Sequence, residues 1–323
     1  MQNRARREGR GTQELLTMYV VERWLARLSV SPWADDFILK GGMLLAVFGN
    51  RRPTQDADAL ARNIAADRDV VAARVAEIAA WDSSNGDDGV RFLVDTIKTS
   101  VIRDDALYSG VRVAMAARIA TAQVRLRLDI NFGDPVTPGP QPIELPALRP
   151  GTAPVRLWGY PIETVLAEKI VTAIGLGAAS SRVRDWADIY TLTGGHPLAW
   201  ATVREAMIAT ATFRGTGLVP LSRVVGALVD LRSGTYAAYR RGLGPDGQQL
   251  PEQFADVVEA VIAFVDALVD PGYERWRWCP PISRVGDDRR PDFPAHHRQS
   301  NELRTWPARR CHLGSLRRGA AVP

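Results

Sequence analysis

The sequence has few of the features that mark secreted, disulfide-bonded or membrane proteins. It contains two cysteines in 323 residues, Cys279 and Cys311, which excludes a disulfide framework and a paired cysteine–histidine zinc site. Its longest uncharged stretches are diluted by glycine, alanine and serine, and fall short of the roughly 20 apolar residues that a transmembrane helix needs. The arginine-rich start is not followed by an unbroken apolar segment, so no secretory signal is predicted. We expect a cytoplasmic protein with no membrane partner.

Lysine is also rare. Of the 41 basic residues only three are lysine, namely Lys40, Lys98 and Lys169. Arginine is the default cation of this chain, so a lysine can mark a position where a compact ammonium is needed and a guanidinium does not fit.

The net charge of +5 is concentrated at the C-terminus. Residues 274–323 contain eleven arginines, five acidic residues and six prolines, and the rest of the chain is nearly neutral. A segment of this composition without apolar periodicity favours a disordered extension. The alternative is a basic arm that grips RNA through its phosphates.

The apolar pattern predicts an α+β protein in two parts. The first part, residues 1–150, shows helical patterns at 15–28, 43–48 and 70–80, and strand patterns at 37–39, 55–60, 90–101, 111–115 and 124–132. Seven prolines in residues 135–154 indicate a connector or irregular edge rather than a regular element, and place the domain boundary. The second part, residues 151–273, is helical at 162–174, 181–191, 198–210, 221–241 and 253–269.

Two carboxylates, Asp56 and Asp58, share one face of a predicted strand because side chains alternate along a strand. Like charges this close are tolerated when they are solvated or when a divalent cation lies between them. Asp129 supplies a third carboxylate on the strand at 124–132, although a strand-end aspartate can also simply cap the turn at Gly133. If the two strands are neighbours, the three acids could bind Mg²⁺ or Mn²⁺ and the phosphates of a nucleotide.

A glycine turn, Gly41-Gly42, joins the strand at 37–39 to the next helix. Backbone N–H groups can approach a phosphate closely where side chains are missing. A tight turn alone would also explain the two glycines, so the signal lies in their spacing from the acids. Arg51 and Arg52, in the loop between, could contact nucleic acid or the incoming nucleotide, or be ordinary loop residues.

These motifs, taken in order, resemble the abortive-infection nucleotidyltransferase toxins of the AbiEii/AbiGii type, within the DNA polymerase β-like nucleotidyltransferase superfamily. The matching segments are Lys40-Gly41-Gly42, Arg52-x-Thr54-x-Asp56-x-Asp58, Leu128-Asp129-Ile130-x-Phe132-Gly133-Asp134, Ala167-Glu168-Lys169 and Arg182-x-Arg184-Asp185-x-x-Asp188. One departure is Met43, where the superfamily often has serine or threonine after the glycines.

The resemblance implies a mixed β-sheet flanked by helices, followed by a mainly helical domain that completes the active site. It implies that Gly41 and Gly42 hold the triphosphate of an NTP and that Asp56, Asp58 and Asp129 bind the metal. Lys169 and Asp188 would be catalytic, and Lys169 and Asp185 would contact the nucleotide. For the last three residues, a structural salt bridge between two helices is the alternative.

The function implied is a metal-dependent toxin of a toxin–antitoxin system, with a cognate antitoxin as partner. It would add nucleotides from an NTP to RNA, with the tRNA 3′ end as the expected acceptor, and so block translation. Two other functions stay open: a non-catalytic module of the same fold that binds a nucleotide or a protein, and an enzyme that nucleotidylates a protein.

Overall fold

The computed structural model describes residues 2–50, 52, 54, 56–81, 88–104, 108–269 and 277–278. The α-helices are α1 Gln2–Glu8, α2 Thr12–Val30, α3 Gly41–Leu44, α4 Arg68–Ala80, α5 Ile162–Leu176, α6 Val183–Gly195, α7 Trp200–Arg214, α8 Leu228–Gly242 and α9 Phe254–Val269. The strands are β1 Phe37–Lys40, β2 Ala57–Ala61, β3 Val90–Asp104, β4 Tyr108–Ile119, β5 Ala122–Phe132, β6 Gln141–Leu145, β7 Val155–Gly159, β8 Leu198–Ala199 and β9 Arg277–Trp278.

Seven strands form one mixed sheet in the order β3-β4-β5-β2-β1-β7-β6. Strand β2 lies at its centre, antiparallel to β1 and parallel to β5, and β1 runs parallel to β7. The long strands β3, β4 and β5 form an antiparallel meander on one side. The predicted α+β class with a mixed sheet and a helical C-terminal part is therefore confirmed.

Helices α2 and α4 cover one face of the sheet. The apolar residues of α2 recur at helical spacing and are buried, and the helix packs against β5 and β7. Its Trp24 ring meets Phe37 of β1 edge to face, with the ring centroids 5.9 Å apart. Helix α4 packs against β3 and β4 through Val71, Val75 and Ile78, all fully buried. This packing fixes which face of each strand turns inward.

Helices α5 to α9 form the helical part. Helix α5 packs against α6 and α7, and α9 against α6 and α8. Aromatic pairs stabilise these contacts: Trp200 stacks on Phe264 at 5.4 Å, and Tyr236 stacks on Phe254 at 4.9 Å between centroids. The predicted domain boundary near residue 150 falls between β6 and β7, two strands of one hairpin in the sheet. The two-domain division stays a prediction.

Several local predictions need correction. The proline-rich segment contains the regular strand β6, which is tolerated because β6 lies at the sheet edge, where a proline without an N–H leaves no neighbouring strand unpaired. Strand β2 begins at Ala57, so Asp56 precedes it. The helix predicted at 43–48 is the single turn α3 followed by a 3₁₀ helix, Leu45–Phe48, and the one predicted at 221–241 begins at Leu228.

The predicted tail, 274–323, and Arg51 lie outside the described residues, except that Arg277–Trp278 forms β9 and pairs with β8. The disorder of the tail stays a prediction. None of the described helices is both long and apolar enough to cross a bilayer.

Candidate active site

Strand pairing brings four charged residues into one row across the sheet. Lys40 of β1 lies opposite Asp58 of β2, Asp58 lies beside Asp129 of β5, and Asp129 lies opposite Arg112 of β4. Paired residues of neighbouring strands point to the same side of a sheet. The row places two of the predicted acids side by side, at the point where β1 turns into α3.

Gly41 lets Asp58 approach the glycine turn. Its backbone has φ of +67°, a left-handed conformation that glycine adopts readily. A Cβ atom at this position would overlap the carboxylate of Asp58. A side chain is therefore excluded at Gly41 for two independent reasons, and the Asp58 carboxylate packs directly on the backbone of the turn.

The Asp58 carboxyl is held in an environment that disfavours its charge. Burial raises its pKa to about 6; Lys40 opposes this shift, while Asp129, Asp56 and Glu168 add to it. An acid that gains a proton this easily in a cluster of acids is typical of a site built for a cation.

This raised pKa gives a stability prediction for the metal-free protein. The pKa of Asp58 is about 6 in the folded chain and near 3.8 when unfolded, so the folded state binds the extra proton and becomes less stable as the pH rises from about 4 to about 6. Asparagine does not titrate, so the free energy of unfolding of Asp58→Asn should not show this decrease. Relative to wild type, it should rise by on the order of 3 kcal/mol between pH 4 and pH 7. Urea unfolding in EDTA at several pH values measures it. A constant difference across that range would contradict the assignment.

The other two acids are held by arginines. Arg112 binds Asp129 through two hydrogen bonds, Nε to Oδ1 at 2.7 Å and Nη2 to Oδ2 at 2.6 Å. Arg127 donates to Oδ1 of Asp56 at 3.1 Å. Across the described residues, no three histidine, cysteine or acidic side chains are placed so that they could hold a metal together. The structure thus shows Asp58 and Asp129 as neighbours, with Asp56 next to them. Arg112 neutralises Asp129, and Arg127 neutralises Asp56.

Lys40 connects the row of charged residues on the sheet to helix α5. Its ammonium donates to Asp134 at 2.8 Å and to Glu168 of α5 at 2.6 Å, and the side chain is almost fully buried. Burial alone would lower the pKa of Lys40, but Glu168, Tyr160 and Asp134 raise it well above its usual value. Lys40 is therefore a permanent cation that limits the negative charge beside Asp58.

A second ion cluster joins α5, α6 and the loop before β2. Lys169 donates to Asp185 at 2.5 Å and to Asp188 at 2.8 Å. Arg52 reaches the same Asp188 with two nitrogens, Nε and Nη2, both 3.1 Å from a carboxylate oxygen. These contacts match the salt bridge between helices that was the structural alternative for Lys169, Asp185 and Asp188.

The second cluster borders the glycine turn. A Cβ atom at Gly42 would lie 2.9 Å from Oγ1 of Thr54 and 3.4 Å from Nη1 of Arg52. Gly41 therefore faces Asp58, and Gly42 faces Arg52 and Thr54. The two consecutive glycines connect the acidic row of the sheet to the ion cluster of the helices.

The sequence matches the model of the nucleotidyl transferase AbiEii toxin family, type IV toxin–antitoxin system, over residues 23–266. The chain belongs to this family. The match includes both ion clusters and the glycine turn. The protein is therefore a nucleotidyltransferase toxin of a type IV toxin–antitoxin system, and the resemblance drawn from the sequence motifs is confirmed.

Solved structures include similar chains. The MenT4 nucleotidyltransferase toxin of Mycobacterium tuberculosis has a TM-score of 0.50 and 17% identity, covering 84% of this chain and 90% of its own. JHP933 of Helicobacter pylori has a TM-score of 0.48 and 14% identity, with 80% and 93% covered. No curated protein matches the sequence. At 17% identity, the MenT4 structure shows the fold alone.

The ion cluster of this AbiEii toxin predicts a large stability effect at Asp188. The side chain is 1% exposed and serves both Lys169 and Arg52. Removing one partner of a buried pair leaves charge uncompensated, so we expect Asp188→Ala to lower the free energy of unfolding by about 3–5 kcal/mol. Urea denaturation measures this. Asp256→Ala, at an exposed position of α9, is the control and should cost less than about 1 kcal/mol; equal losses in the two variants would refute a structural role.

Sequence reasoning missed several residues of the toxin's site. Glu168 and Asp134 lie inside matched motifs, but neither was assigned a role. Residues 168 and 169 point in directions about 100° apart on a helix, so Glu168 reaches Lys40 while Lys169 reaches α6. Arg112 could not be found before the register of β4 and β5 was known, because nothing in its local sequence distinguishes it.

Proposed function

We propose that this AbiEii toxin is a Mg²⁺- or Mn²⁺-dependent enzyme that adds nucleotides from an NTP to the 3′ end of RNA, with tRNA as the acceptor. The observation that carries the proposal is the position of Asp58, in register with Asp129 and packed on the backbone of Gly41. Nucleotidyl transfer requires carboxylates that can bind a divalent cation beside backbone N–H groups that can contact phosphates.

The donor set fits a hard divalent cation. Mg²⁺ is commonly bound by one or two carboxylates together with substrate phosphates, rather than by a complete protein cage. Asp58 and Asp129 supply two such carboxylates, and Asp56 is the nearby third. When bound, the ion would stabilise negative charge on the phosphates and favour ionisation of the attacking hydroxyl. Without the ion, Arg112 and Arg127 compensate Asp129 and Asp56.

The chain's own groups provide positioning. In this proposal the N–H groups of Gly41 and Gly42 face the β- and γ-phosphates. The cluster of Lys169, Asp185 and Asp188 holds Arg52 beside the same turn. The RNA 3′ oxygen forms a bond to the α-phosphorus while the bond from that phosphorus to the β-bridging oxygen breaks. Pyrophosphate leaves, and the hydroxyl proton passes to solvent.

A label-transfer experiment tests the proposal. The toxin is incubated with bulk tRNA, Mg²⁺ and each α-³²P-labelled NTP in turn, beside reactions with EDTA and with tRNA whose 3′ ribose has been oxidised by periodate. We expect label in tRNA with at least one NTP, and none in either control. Label in tRNA despite oxidation would contradict 3′ addition, and metal-independent transfer would contradict the role of the acids.

Two other functions would give different results in the same assay. Label that appears only in proteins of an added lysate would identify protein nucleotidylation. NTP binding without any transfer, at every acceptor tried, would identify a non-catalytic binding module.

A further inference from the structure

The face of β3, β4 and β5 that turns away from α2 and α4 carries basic residues. Along β5, buried Val124, Leu126, Leu128 and Ile130 alternate with residues on the opposite side. Strand β4 shows the same alternation from residue 111 to residue 118, and β3 shows it from residue 90 to residue 93, before the irregularity between Leu93 and Lys98. One side of this meander is core, and the other side is open to solvent.

Strand register aligns the basic residues on that open side. Three rows cross the strands: Arg91, Arg118 and Gln123; then Leu93, Ala116 and Arg125; then Lys98, Ala114 and Arg127. A fourth row, Ser100, Arg112 and Asp129, continues into Asp58. We call this surface the basic sheet face; its basic residues are Arg91, Lys98, Arg112, Arg118, Arg125 and Arg127.

Four of these side chains are available to a ligand. Arg91, Lys98, Arg118 and Arg125 are exposed, and within the described part of the chain they take part in no ion pair. The inner two, Arg112 and Arg127, are the partners of Asp129 and Asp56. The unpaired positive charge therefore lies farther from the acids, and the compensated charge lies next to them.

The basic sheet face leads directly to the acids. Arg125, Arg127 and Asp129 occupy alternate positions of β5, and a strand rises about 3.3 Å per residue. The step from Arg125 to Asp129 is then about 13 Å along the strand. An anionic polymer lying on the exposed arginines would have its end at the carboxylates.

Small residues lie between the cations of the central strand of this surface. Ala114 and Ala116 are partly exposed in the middle of the face, so no bulky side chain separates Arg112 from Arg118 on the central strand β4. None of the residues in the four rows is aromatic, so this face offers no platform on which bases could stack. Its chemistry suits contacts to phosphates, which carry no sequence information.

We propose that the basic sheet face holds the phosphate backbone of the RNA acceptor while the RNA 3′ end enters the acidic row. This inference rests on the proposed RNA acceptor and adds where the RNA lies and what is recognised. Binding is electrostatic and independent of sequence, and the choice of 3′ end is made at the acids rather than on the sheet.

RNA binding measured without catalysis tests the proposal. The triple variant Arg91→Gln, Arg118→Gln, Arg125→Gln is compared with the control Arg68→Gln, Arg223→Gln, Arg241→Gln, which removes the same charge from exposed positions elsewhere. Fluorescence polarisation with labelled tRNA, without NTP and at several salt concentrations, gives the dissociation constant. We expect at least tenfold weaker binding for the sheet variant and less than a twofold change for the control.

The salt dependence adds a second readout. The logarithm of the RNA association constant falls linearly with the logarithm of the salt concentration, and each phosphate contact makes this slope steeper by about 0.7–0.9. The slope should therefore be shallower by about 2–3 for the sheet variant, which lacks three arginines. Binding of Mg²⁺ and NTP, followed by thermal shift, should be unchanged in both triple variants. Two randomised RNAs of equal length should bind equally well to the wild type.

Three outcomes would overturn this inference. They are equal RNA affinity in the sheet variant and the wild type, equal weakening in both triple variants, and loss of neutralisation by the cognate antitoxin with RNA affinity intact. The last outcome would assign the face to an acidic protein. The two proposals fail separately: RNA binding without transfer refutes the catalytic function, whereas transfer with no RNA affinity on this face refutes only the surface.

Discussion

Asp58→Asn should strongly reduce nucleotidyl transfer while leaving the protein at least as stable as the wild type at pH 7. The carboxylate lies beside Asp129 and against the glycine turn, where a metal ligand would contribute several kcal/mol to the transition state. We expect the rate to fall by about three orders of magnitude. Stability does not fall because the buried charge of Asp58, with its pKa raised to about 6, is itself costly in the folded protein.

The two measurements together separate a functional acid from a structural one. Label transfer gives the rate, and thermal unfolding gives the stability with and without Mg²⁺. Added Mg²⁺ should raise the melting temperature of the wild type but not of Asp58→Asn, because a ligand stabilises only the state that binds it. Glu205→Gln, at an exposed position of α7, removes one charge as a control and should keep full activity. An active Asp58→Asn enzyme would rule out this residue as a metal ligand.

Gly41→Ala should reduce activity by about 100-fold or more, because a displacement of about 1 Å in a catalytic group is enough for such a loss. Alanine at φ of +67° costs roughly 1–2 kcal/mol, and its Cβ would occupy the space of the Asp58 carboxylate. Either the turn or Asp58 must move. Both the rate and the free energy of unfolding should therefore fall.

Gly234→Ala is the matched control. Gly234 lies inside α8, and a Cβ atom there would have no neighbour within 4 Å. The same substitution should stabilise the protein by about 0.4–1 kcal/mol with unchanged activity, because alanine restricts the unfolded chain and favours helix. If Gly41→Ala behaved like Gly234→Ala, the close packing of Asp58 on the turn would play no part in catalysis.

Much of the fold was predictable from periodicity. The alternation on β5 and the helical spacing on α2 follow directly from one buried face each, so these elements appear where the sequence places them. The edge strand β6 was not predictable, because its proline content argues against a strand and only its position at the edge of the sheet permits one. Local sequence does not specify where in a sheet a strand will lie.

Some residues of the candidate site were likewise predictable from the sequence, and others were not. Motif spacing found Asp58, Asp129 and the glycine turn, because the two acids stand between apolar residues of their strands and the two glycines directly follow β1. The arginine partners were not predictable. Arg112 and Arg127 are two of many arginines in the chain, and only the register of β4, β5 and β2 assigns them to Asp129 and Asp56. Ion pairing across strands depends on register, which composition does not reveal.

Two adjacent residues, Glu168 and Lys169, hold helix α5 on two different sides. Glu168 anchors one side of the helix to the end of β1, and Lys169 anchors another side to α6. A rotation of α5 about its axis cannot release one anchor without straining the other. Helix α5 is therefore fixed at one turn on two sides, which sets its rotation about its own axis relative to both the sheet and α6.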